Sequence, residues 1–364
     1  MALNGDLMGK DARIATVFGT RPEIIKMSLL IPMLDRAFDH SFVFTSQHYS
    51  TNMAGIFFEE LGVREPDHML KVNSSDYGEL QRGVEKAFEK IKPSHVVVYG
   101  DTNSTLSGAL AAKKFGAKII HVEAGLRSFD PRMPEEHNRI ETDRISSLLL
   151  TPTNLTRSFI ERERLDGEVS VVGNTVVDAC LHYIRKADEQ EVLGRFGIER
   201  KDFVLVTAHR QENVDNPENV VKVLKSFEKI GKTVLFPIHP RTKKHLGERK
   251  YQVPKNVMII DAIGYLDFLP LLKNASLVLT DSGGVQEEAI TLKVPCLTLR
   301  YSTERWETII EGGNFLVGLE PALVSYWVKM ALESDLGARM QKAKNPYGEG
   351  CASEKCLKGI KGHV

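Results

Sequence analysis

The stretch Ser276–Ile290 contains a turn whose residue types suit an anion. Leu277–Thr280 is a short apolar run typical of a buried strand, Ser282-Gly283-Gly284 interrupts it, and Val285–Leu292 has helical character. A helix that begins directly after a strand directs backbone N–H groups and the positive end of its dipole to one point, where a phosphate binds well. Glycine also lets a ligand approach the backbone. A plain strand–turn–helix junction would look the same, so the turn needs support from elsewhere in the chain.

Two cations and two carboxylates could complete such a site. Arg21 and Lys26 lie near the start of a predicted helix and could reach one anion, although solvated helix charges would have the same spacing. Asp101 and Glu123 each follow an apolar run of strand type. Because the carboxyl ends of parallel strands meet at one edge of a sheet, we expect these carboxylates close together, as acid–base groups would need to be.

Composition narrows the classes of function. The chain has 364 residues, enough for two domains, and its 48 basic residues balance its 48 acidic ones, which argues against binding nucleic acid or a membrane through overall charge. No apolar run reaches the ~18 residues of a membrane span, and the start lacks the apolar core of a signal peptide. Cys180, Cys296, Cys351 and Cys356 lack paired CxxC spacing, so we expect reduced thiols in a cytoplasmic protein without a metal site.

Strand-like and helix-like segments alternate along the chain, which predicts an α/β fold of parallel strands joined by crossover helices. The predicted strands are 13–19, 41–46, 95–99, 118–122, 148–151, 170–172, 203–207, 233–237, 257–260, 277–280 and 296–299. A helix over 23–38 is expected to kink at Pro32. The alternation pauses near Asn174 and then restarts. We therefore predict two parallel-sheet domains facing across a cleft, 1–174 with a returning C-terminal helix in 345–364, and 175–344.

Short motifs along nearly the whole chain resemble those of the non-hydrolysing UDP-N-acetylglucosamine 2-epimerases. They are FGTRPEIIK (18–26), GDTNST (100–105), HVEAGLRS (121–128), MPEEHNR (133–139), VGNTVVD (172–178), TAHRQEN (207–213), DSGGVQEEA (281–289), STERWE (302–307) and NPYG (345–348). They occur in family order. The resemblance implies two Rossmann-like domains in the arrangement called GT-B, a homodimer, interconversion of UDP-GlcNAc and UDP-ManNAc, and no metal or redox cofactor.

That reaction makes clear demands on side chains. The hydrogen on C2 of a 2-acetamido sugar becomes acidic only when the C1–O bond to UDP breaks. Loss of the C2 proton then gives a glycal, and protonation from the opposite face followed by return of UDP gives the epimer. The departing diphosphate needs positive charge and N–H donors, and the sugar needs acid–base groups on both faces.

The resemblance assigns these roles to particular positions. The implied catalytic groups are Asp101, Glu123, Glu135 and His209. The implied substrate-binding groups are Arg21, Lys26, Phe268, Ser282, Gly283, Gly284, Glu288 and Arg305. Glu288 would bind the ribose, and Glu136 would support structure. By residue type alone, His209 would also suit a structural histidine, Glu135 a partner of the helix dipole, and Glu288 a surface glutamate.

Many bacterial members of that family use a second UDP-GlcNAc as an activator. Gln47, His48 and His239 resemble part of the second site. However, the Arg-Gln pair expected within residues 70–82 is absent, and HRQE at 209–212 replaces the commoner HRRE. Activation by a second substrate molecule is therefore left open.

Rival functions share parts of the pattern. Tyr99–Ala112, Glu123–Glu136 and Gly264–Leu269 also resemble epimerases of UDP-2,3-diacetamido-glucuronate, but no extra basic residue can be tied to the C6 carboxylate of that substrate. The match to GTRPE and EAGLR favours the non-hydrolysing branch over hydrolysing 2-epimerases, which release free ManNAc. A GT-B glycosyltransferase would often carry E-x7-E in this region, whereas Glu287 and Glu288 have Pro and Cys at that spacing.

Overall fold

The computed structural model describes residues 12–47, 51–70, 72, 74–208, 210, 213, 216–238, 243, 246 and 253–364, with the backbone alone at 51–54, 56 and 217. These residues form two compact units. Unit 1 is the chain up to Ala179 together with Tyr347–Val364, and unit 2 is Cys180–Pro346. The domain limits expected from the sequence stay a prediction.

Unit 1 is built on a parallel sheet. Its strands are β1 (Arg13–Phe18), β2 (Asp39–Phe44), β3 (His68–Met69), β4 (His95–Tyr99), β5 (Lys118–Val122), β6 (Leu148–Thr151) and β7 (Glu168–Val171). They lie in the order β3-β2-β1-β4-β5-β6-β7. β4, with the sequence HVVVY, is buried over its whole length, as expected for a central parallel strand. The strand order changes direction between β1 and β4, and open parallel sheets bind ligands beyond the carboxyl ends of such strands.

Helices connect the strands of unit 1. They are α1 (Arg21–Met27), α2 (Leu30–Ala37), α3 (Thr51–Leu61), α4 (Tyr77–Ile91), α5 (Asn103–Lys114), α6 (Pro134–Ile145), α7 (Asn154–Glu163) and α8 (Thr175–Tyr183), which runs into unit 2. The prediction of one helix over 23–38 kinked at Pro32 was wrong. The helix breaks earlier, where the Ser28 hydroxyl donates to the Ile25 carbonyl at 2.7 Å. Pro32 lies in the first turn of α2, where its missing N–H costs no helical hydrogen bond.

Unit 2 has a second parallel sheet. Its strands are β8 (Phe203–Thr207), β9 (Thr233–Ile238), β10 (Val257–Asp261), β11 (Leu277–Thr280), β12 (Cys296–Thr298) and β13 (Asn314–Leu316). Their order, β10-β9-β8-β11-β12-β13, changes direction between β8 and β11. Helices of the described residues are α9 (Glu189–Phe196), α10 (Pro217–Phe227), α11 (Tyr265–Asn274), α12 (Gly283–Thr291), α13 (Trp306–Ile310), α14 (Pro321–Glu333) and α15 (Leu336–Gln341). The predicted class, two Rossmann-like parallel-sheet domains, is confirmed.

The last helix, α16 (Ala352–His363), belongs to unit 1. Its first N–H groups, those of Ala352 and Ser353, donate to the two carboxylate oxygens of Asp178 at 3.0 and 2.7 Å. These bonds satisfy donors that a helix N-terminus leaves open. Cys356 and Ile360 are buried on the face that packs against unit 1.

Candidate active site

Two proposed acid–base carboxylates follow neighbouring strands of unit 1. β4 and β5 pair with Tyr99 opposite Val122, so the turns that carry Asp101 and Glu123 lie next to each other. Both turns use left-handed backbone, at Gly100 (φ 69°) and at Glu123 itself (φ 70°). A non-glycine residue in this region is uncommon and is often found at functional sites. The structure therefore places the turns that carry Asp101 and Glu123 next to each other, at the sheet edge that the strand pattern predicts.

Glu123 is buried and has a cation beside it. Its Oε1 accepts from Lys26 Nζ at 2.5 Å and from Asn174 Nδ2 at 2.8 Å. The ammonium of Lys26 also lies 5.5 Å from the centre of the Tyr99 ring. A buried carboxylate is stable in its charged form only with such partners. Lys26, predicted to bind the substrate, thus contacts Glu123, which is one of the predicted acid–base groups.

Asp101 is paired with a different cation. Its Oδ2 accepts from Arg139 Nη1, and its side chain keeps 25% exposure. The main-chain carbonyl of Asp101 accepts from Asn138 Nδ2 at 2.9 Å. Arg139 is buried, and its Nη2 donates to Glu136 at 2.7 Å. One guanidinium therefore joins a solvent-accessible carboxylate to a buried one.

Glu135 and Glu136 have different surroundings. Glu136 is buried and accepts from the backbone N–H groups of Ser128 and Phe129, each at 2.9 Å. Burial opposes ionisation of Glu136, but the charge of Arg139 and these hydrogen bonds outweigh it, so its pKa lies below its ordinary value. Glu135 is half-buried in the first turn of α6. Burial raises the pKa of Tyr77, and the negative charge of Glu135 raises it further.

The loops after β1 and β2 carry the remaining predicted groups of unit 1. The guanidinium of Arg21 lies 4.5 Å from the centre of the Phe57 ring. Gln47 is buried, and its Oε1 accepts from the backbone N–H of Ser104 at 3.0 Å and from its hydroxyl at 2.7 Å. His48 lies outside the described residues. Gln47 therefore joins the loop after β2 to the start of α5.

Sequence reasoning missed Glu23. Its Oε2 accepts from the N–H groups of Gly19 and Thr20 at 2.9 and 2.8 Å, and its Oε1 accepts from the Thr102 hydroxyl at 2.8 Å. Burial raises the pKa of this carboxyl. Glu23 thereby joins the loop after β1 to Thr102, the residue that follows Asp101. The spacing of Thr20 and Glu23, that of a capping box, was a signal for part of this role.

In unit 2 the predicted phosphate turn forms the start of α12. Ser282 is its N-cap, and no side chain caps the helix there. Gly283 and Gly284 differ in their surroundings. A Cβ on Gly283 would lie 2.4 Å from Glu304 Oε1, whereas a Cβ on Gly284 would meet nothing within 4 Å. The N-terminus of α12 therefore leaves room for a ligand at Gly284, and its dipole favours an anion.

Asp281, the residue before Ser282, joins this turn to the segment that follows β8. It is buried, and its Oδ2 accepts from the N–H of Arg210 at 3.0 Å and from Asn213 Nδ2 at 2.9 Å. Arg210 and Asn213 follow β8 in the chain. His209, the predicted catalytic histidine, lies outside the described residues, as does His239.

The predicted nucleotide contacts of unit 2 have varied environments. Glu288 is buried, and its Oε1 accepts from the Tyr265 hydroxyl at 2.9 Å. Arg305 is buried, with Nε 2.7 Å from Glu287 Oε1. Phe268 lies on α11 and packs against the apolar core of unit 2. Tyr265 was not predicted, and sequence alone gave no signal for its contact with Glu288.

Comparison with known proteins adds to this geometry. Residues 33–361 match the family model described as UDP-N-acetylglucosamine 2-epimerase. The Methanocaldococcus jannaschii protein named UDP-N-acetylglucosamine 2-epimerase is 44% identical, with 95% of this chain and 98% of the relative covered. The chain belongs to the UDP-N-acetylglucosamine 2-epimerase family.

Solved structures of UDP-N-acetylglucosamine 2-epimerases share the fold. The crystal structure of the Methanocaldococcus jannaschii enzyme in complex with UDP-GlcNAc and UDP has a TM-score of 0.88 at 44% identity and covers 96% of this chain and 99% of that chain. A relative named for a different substrate, the Pseudomonas aeruginosa UDP-2,3-diacetamido-2,3-dideoxy-D-glucuronate 2-epimerase, is 38% identical over 94% of this chain and 98% of its own length.

Among the described residues, no group of three or more His, Cys, Asp or Glu side chains could hold a metal ion. None of the helices in the described ranges combines the length and the apolar character needed to cross a membrane.

Proposed function

We propose that the chain interconverts UDP-GlcNAc and UDP-ManNAc by eliminating UDP to a glycal and adding it back. The observation that carries this proposal is the pair of carboxylates at neighbouring strand ends, each with its own cation: Glu123 with Lys26, and Asp101 with Arg139. An epimerisation needs one group that removes a proton and another that returns one. The membership of the chain in the 2-epimerase family supports the same reaction.

The first step is departure of UDP. The C1–O bond breaks, the electron pair leaves with the β-phosphate, and C1 becomes oxocarbenium-like. The amide groups at the start of α12 would stabilise the growing negative charge, because they are fixed donors at the positive end of a helix. Arg21 would add positive charge, and His209 would donate to the departing oxygen.

The second step is proton transfer at C2. A carboxylate takes the C2 proton, and the electron pair of the C2–H bond forms the C1–C2 double bond of the glycal. Another acid then returns a proton to C2 from the opposite face. UDP then attacks C1. We assign this acid–base work to Asp101, Glu123 and Glu135. Lys26 Nζ donates to the carboxylate of Glu123, and Arg139 Nη1 donates to that of Asp101.

The nucleotide would be held by groups of unit 2. Glu288 is proposed to accept hydrogen bonds from the ribose hydroxyls, with Tyr265 orienting its carboxylate. Ser282, Gly283 and Gly284 would bind the diphosphate. Arg305 and Phe268 are further proposed contacts of the nucleotide.

The remaining expectations are parts of the same proposal. The enzyme would work as a homodimer in the cytoplasm, without a metal or redox cofactor. Gln47, His48 and His239 are proposed to form a second UDP-GlcNAc site if this chain retains one.

UDP-2,3-diacetamido-glucuronate is the second candidate substrate, because the Pseudomonas aeruginosa relative is 38% identical over nearly the whole chain. NMR of parallel reactions separates the possibilities. UDP-ManNAc formed from UDP-GlcNAc, with little conversion of the diacetamido sugar, supports the proposal. Faster conversion of the diacetamido sugar would replace the proposed substrate, and stoichiometric free ManNAc and UDP would indicate the hydrolysing reaction.

A further inference from the structure

His121 is a fully buried histidine of β5 that contacts the turn carrying Asp101. Its Nε2 lies 2.7 Å from the carbonyl oxygen of Gly100, and its Nδ1 lies 2.6 Å from Oδ1 of Asp143. Neither His121 nor Asp143 is part of the proposed acid–base set. The ring therefore links the backbone beside Asp101 to a buried carboxylate on α6.

Asp143 fixes the position of this ring. Burial would raise the pKa of Asp143, but the His121 ring and the Arg127 guanidinium outweigh burial, so the pKa lies below its ordinary value. Oδ2 of Asp143 also accepts from the N–H of Gly125 at 3.1 Å and from Arg127 Nη1 at 2.7 Å. The carbonyl of Gly100 can only accept a hydrogen bond, so Nε2 of His121 is the donor in that contact.

The turn formed by Gly100, Asp101 and Thr102, here called the Asp101 turn, is held at both ends. Gly100 has φ 69°, and its carbonyl accepts from His121. Thr102 donates from its hydroxyl to Glu23 at 2.8 Å. Because Asp101 lies between these two contacts, the direction of its side chain depends on both anchors.

We propose that His121 is a positioning residue for Asp101. It touches none of the reacting atoms and acts by fixing the Gly100 carbonyl, which sets the backbone from which the Asp101 carboxylate extends. The inference rests on the proposed function, in which Asp101 transfers a proton. A buried histidine with a purely structural role would stabilise the fold through Asp143 without acting on the chemistry.

Two substitutions separate these roles, because each keeps a different half of the contact. His121→Gln places an amide nitrogen near the position of Nε2 and can still donate to Gly100. His121→Asn places its amide near Nδ1, so it can still reach Asp143 but not the Gly100 carbonyl. Both replace an aromatic ring by an amide, and each variant is the control for the other.

Activity is the first measurement. We expect His121→Asn to lower kcat for epimerisation by about 10–100-fold, since a 1 Å misplacement of a catalytic group can cost about 100-fold. Its affinity for UDP, measured by calorimetry, should remain within about 2-fold of the wild type, because no group that contacts UDP is changed. His121→Gln should recover most of the lost kcat. Equal losses in both variants, or losses that follow the melting temperature alone, would overturn the inference.

Crystal structures of the two variants give a readout that needs no activity. In His121→Asn the carboxylate of Asp101 should separate from Arg139, whereas in His121→Gln their ion pair should persist. An unchanged Asp101 in His121→Asn would overturn the positioning role, whatever reaction the enzyme catalyses. A wild-type enzyme that forms no epimer would instead refute the proposed function, with the structural result still deciding the role of His121.

Discussion

The candidate sites of the two units hold charge in different ways. In unit 1 the proposed acid–base groups are side chains with charged neighbours, Glu123 with Lys26 and Asp101 with Arg139. In unit 2 the proposed diphosphate site is backbone, the uncapped start of α12, while the buried Arg305 lies 2.7 Å from Glu287.

The difference follows from what each site is asked to do. A group that takes and returns a proton must itself titrate, and a neighbouring cation sets how readily it does so. A site that releases and recaptures a diphosphate benefits from donors that cannot titrate and that need no reorientation, which backbone N–H groups at a helix start provide. Substitutions at Asp101 and Glu123 should therefore affect turnover, and substitutions in the turn at the start of α12 should affect affinity for the nucleotide.

Asp101→Asn should have the largest effect. We expect a loss of about 10²–10⁴-fold in kcat, the usual range for a missing acid–base group, because the amide cannot accept the proton. Affinity for UDP should change little. Turnover followed by NMR and UDP binding by calorimetry test the two halves of this prediction. A well-folded variant with near-normal turnover would remove Asp101 from the chemistry.

Gly284→Ala should weaken UDP binding without destabilising the fold. The new methyl group meets no protein atom within 4 Å, and alanine favours a helix by up to about 1 kcal/mol, so the melting temperature should not fall. Affinity for UDP should drop about tenfold, equivalent to about 1.4 kcal/mol, because the methyl group occupies the approach to the N–H groups.

Gly283→Ala is the matched control for this change. Its Cβ would lie 2.4 Å from Glu304 Oε1, so it should lower the melting temperature as well as UDP affinity. Unchanged UDP affinity in a stable Gly284→Ala protein would place the diphosphate elsewhere.

Tyr265→Phe should weaken UDP binding more modestly. Burial, together with the charge of Glu288, holds the pKa of Tyr265 well above its ordinary value, so its hydroxyl stays a donor to Glu288. Losing this hydrogen bond should reduce UDP affinity by about 3–10-fold, the effect of about 0.5–1.5 kcal/mol, with kcat changed much less. The wild type should bind 2′-deoxy-UDP more weakly than UDP, and this difference in affinity should be smaller in the variant. An unaltered preference for UDP over 2′-deoxy-UDP would separate Tyr265 from ribose binding.

Asp35→Asn should affect stability alone, since Asp35 belongs to a charge cluster that the proposed chemistry does not use. It accepts from His40 Nδ1 at 2.6 Å and from Arg64 Nε at 2.9 Å. Burial opposes ionisation of Asp35, but these two partners lower its pKa from 3.8 to about 2. Because the folded pKa is the lower one, the ionised carboxylate stabilises the fold above pH 3.8, and this contribution is lost as the pH falls towards 2.

Calorimetry of the wild type and Asp35→Asn tests whether the ionised Asp35 stabilises the fold. At pH 7 the variant should melt a few degrees lower, about 2–4 °C for each 1 kcal/mol in domains of this size, with wild-type kcat. The difference in melting temperature between the wild type and the variant should narrow as the pH falls below about 4. A difference that stays constant down to pH 2.5 would contradict the assigned role of Asp35.

The sequence predicted the sheets well because their central strands are continuous apolar runs. Ile14–Phe18 and His95–Tyr99, for example, are buried throughout. The edge strands β3 and β13 were missed, since they are two and three residues long and too short for a periodic signal. The break between α1 and α2 was placed at Pro32, although a proline in the first turn of a helix is well tolerated.

The candidate site was predicted only in part. The carboxylates at strand ends could be expected from topology, which brings Asp101 and Glu123 to one edge. Their partners could not, because Lys26 and Glu123 are 97 residues apart and nothing in the sequence pairs them. Asn174 and Arg139 lay within recognised motifs but had no assigned role. The left-handed backbone of Glu123 likewise depends on tertiary structure rather than residue type.

Solvent exchange at C2 is the measurement that decides whether this protein moves a proton there. UDP-GlcNAc incubated with the enzyme in D₂O should yield UDP-ManNAc that carries deuterium at C2, and deuterium should also enter the recovered UDP-GlcNAc. Asp101→Asn should incorporate deuterium more slowly by the same factor as its loss in kcat. Epimer formed with the C2 hydrogen fully retained, or UDP bound without any exchange, would contradict the mechanism assigned to Asp101 and Glu123.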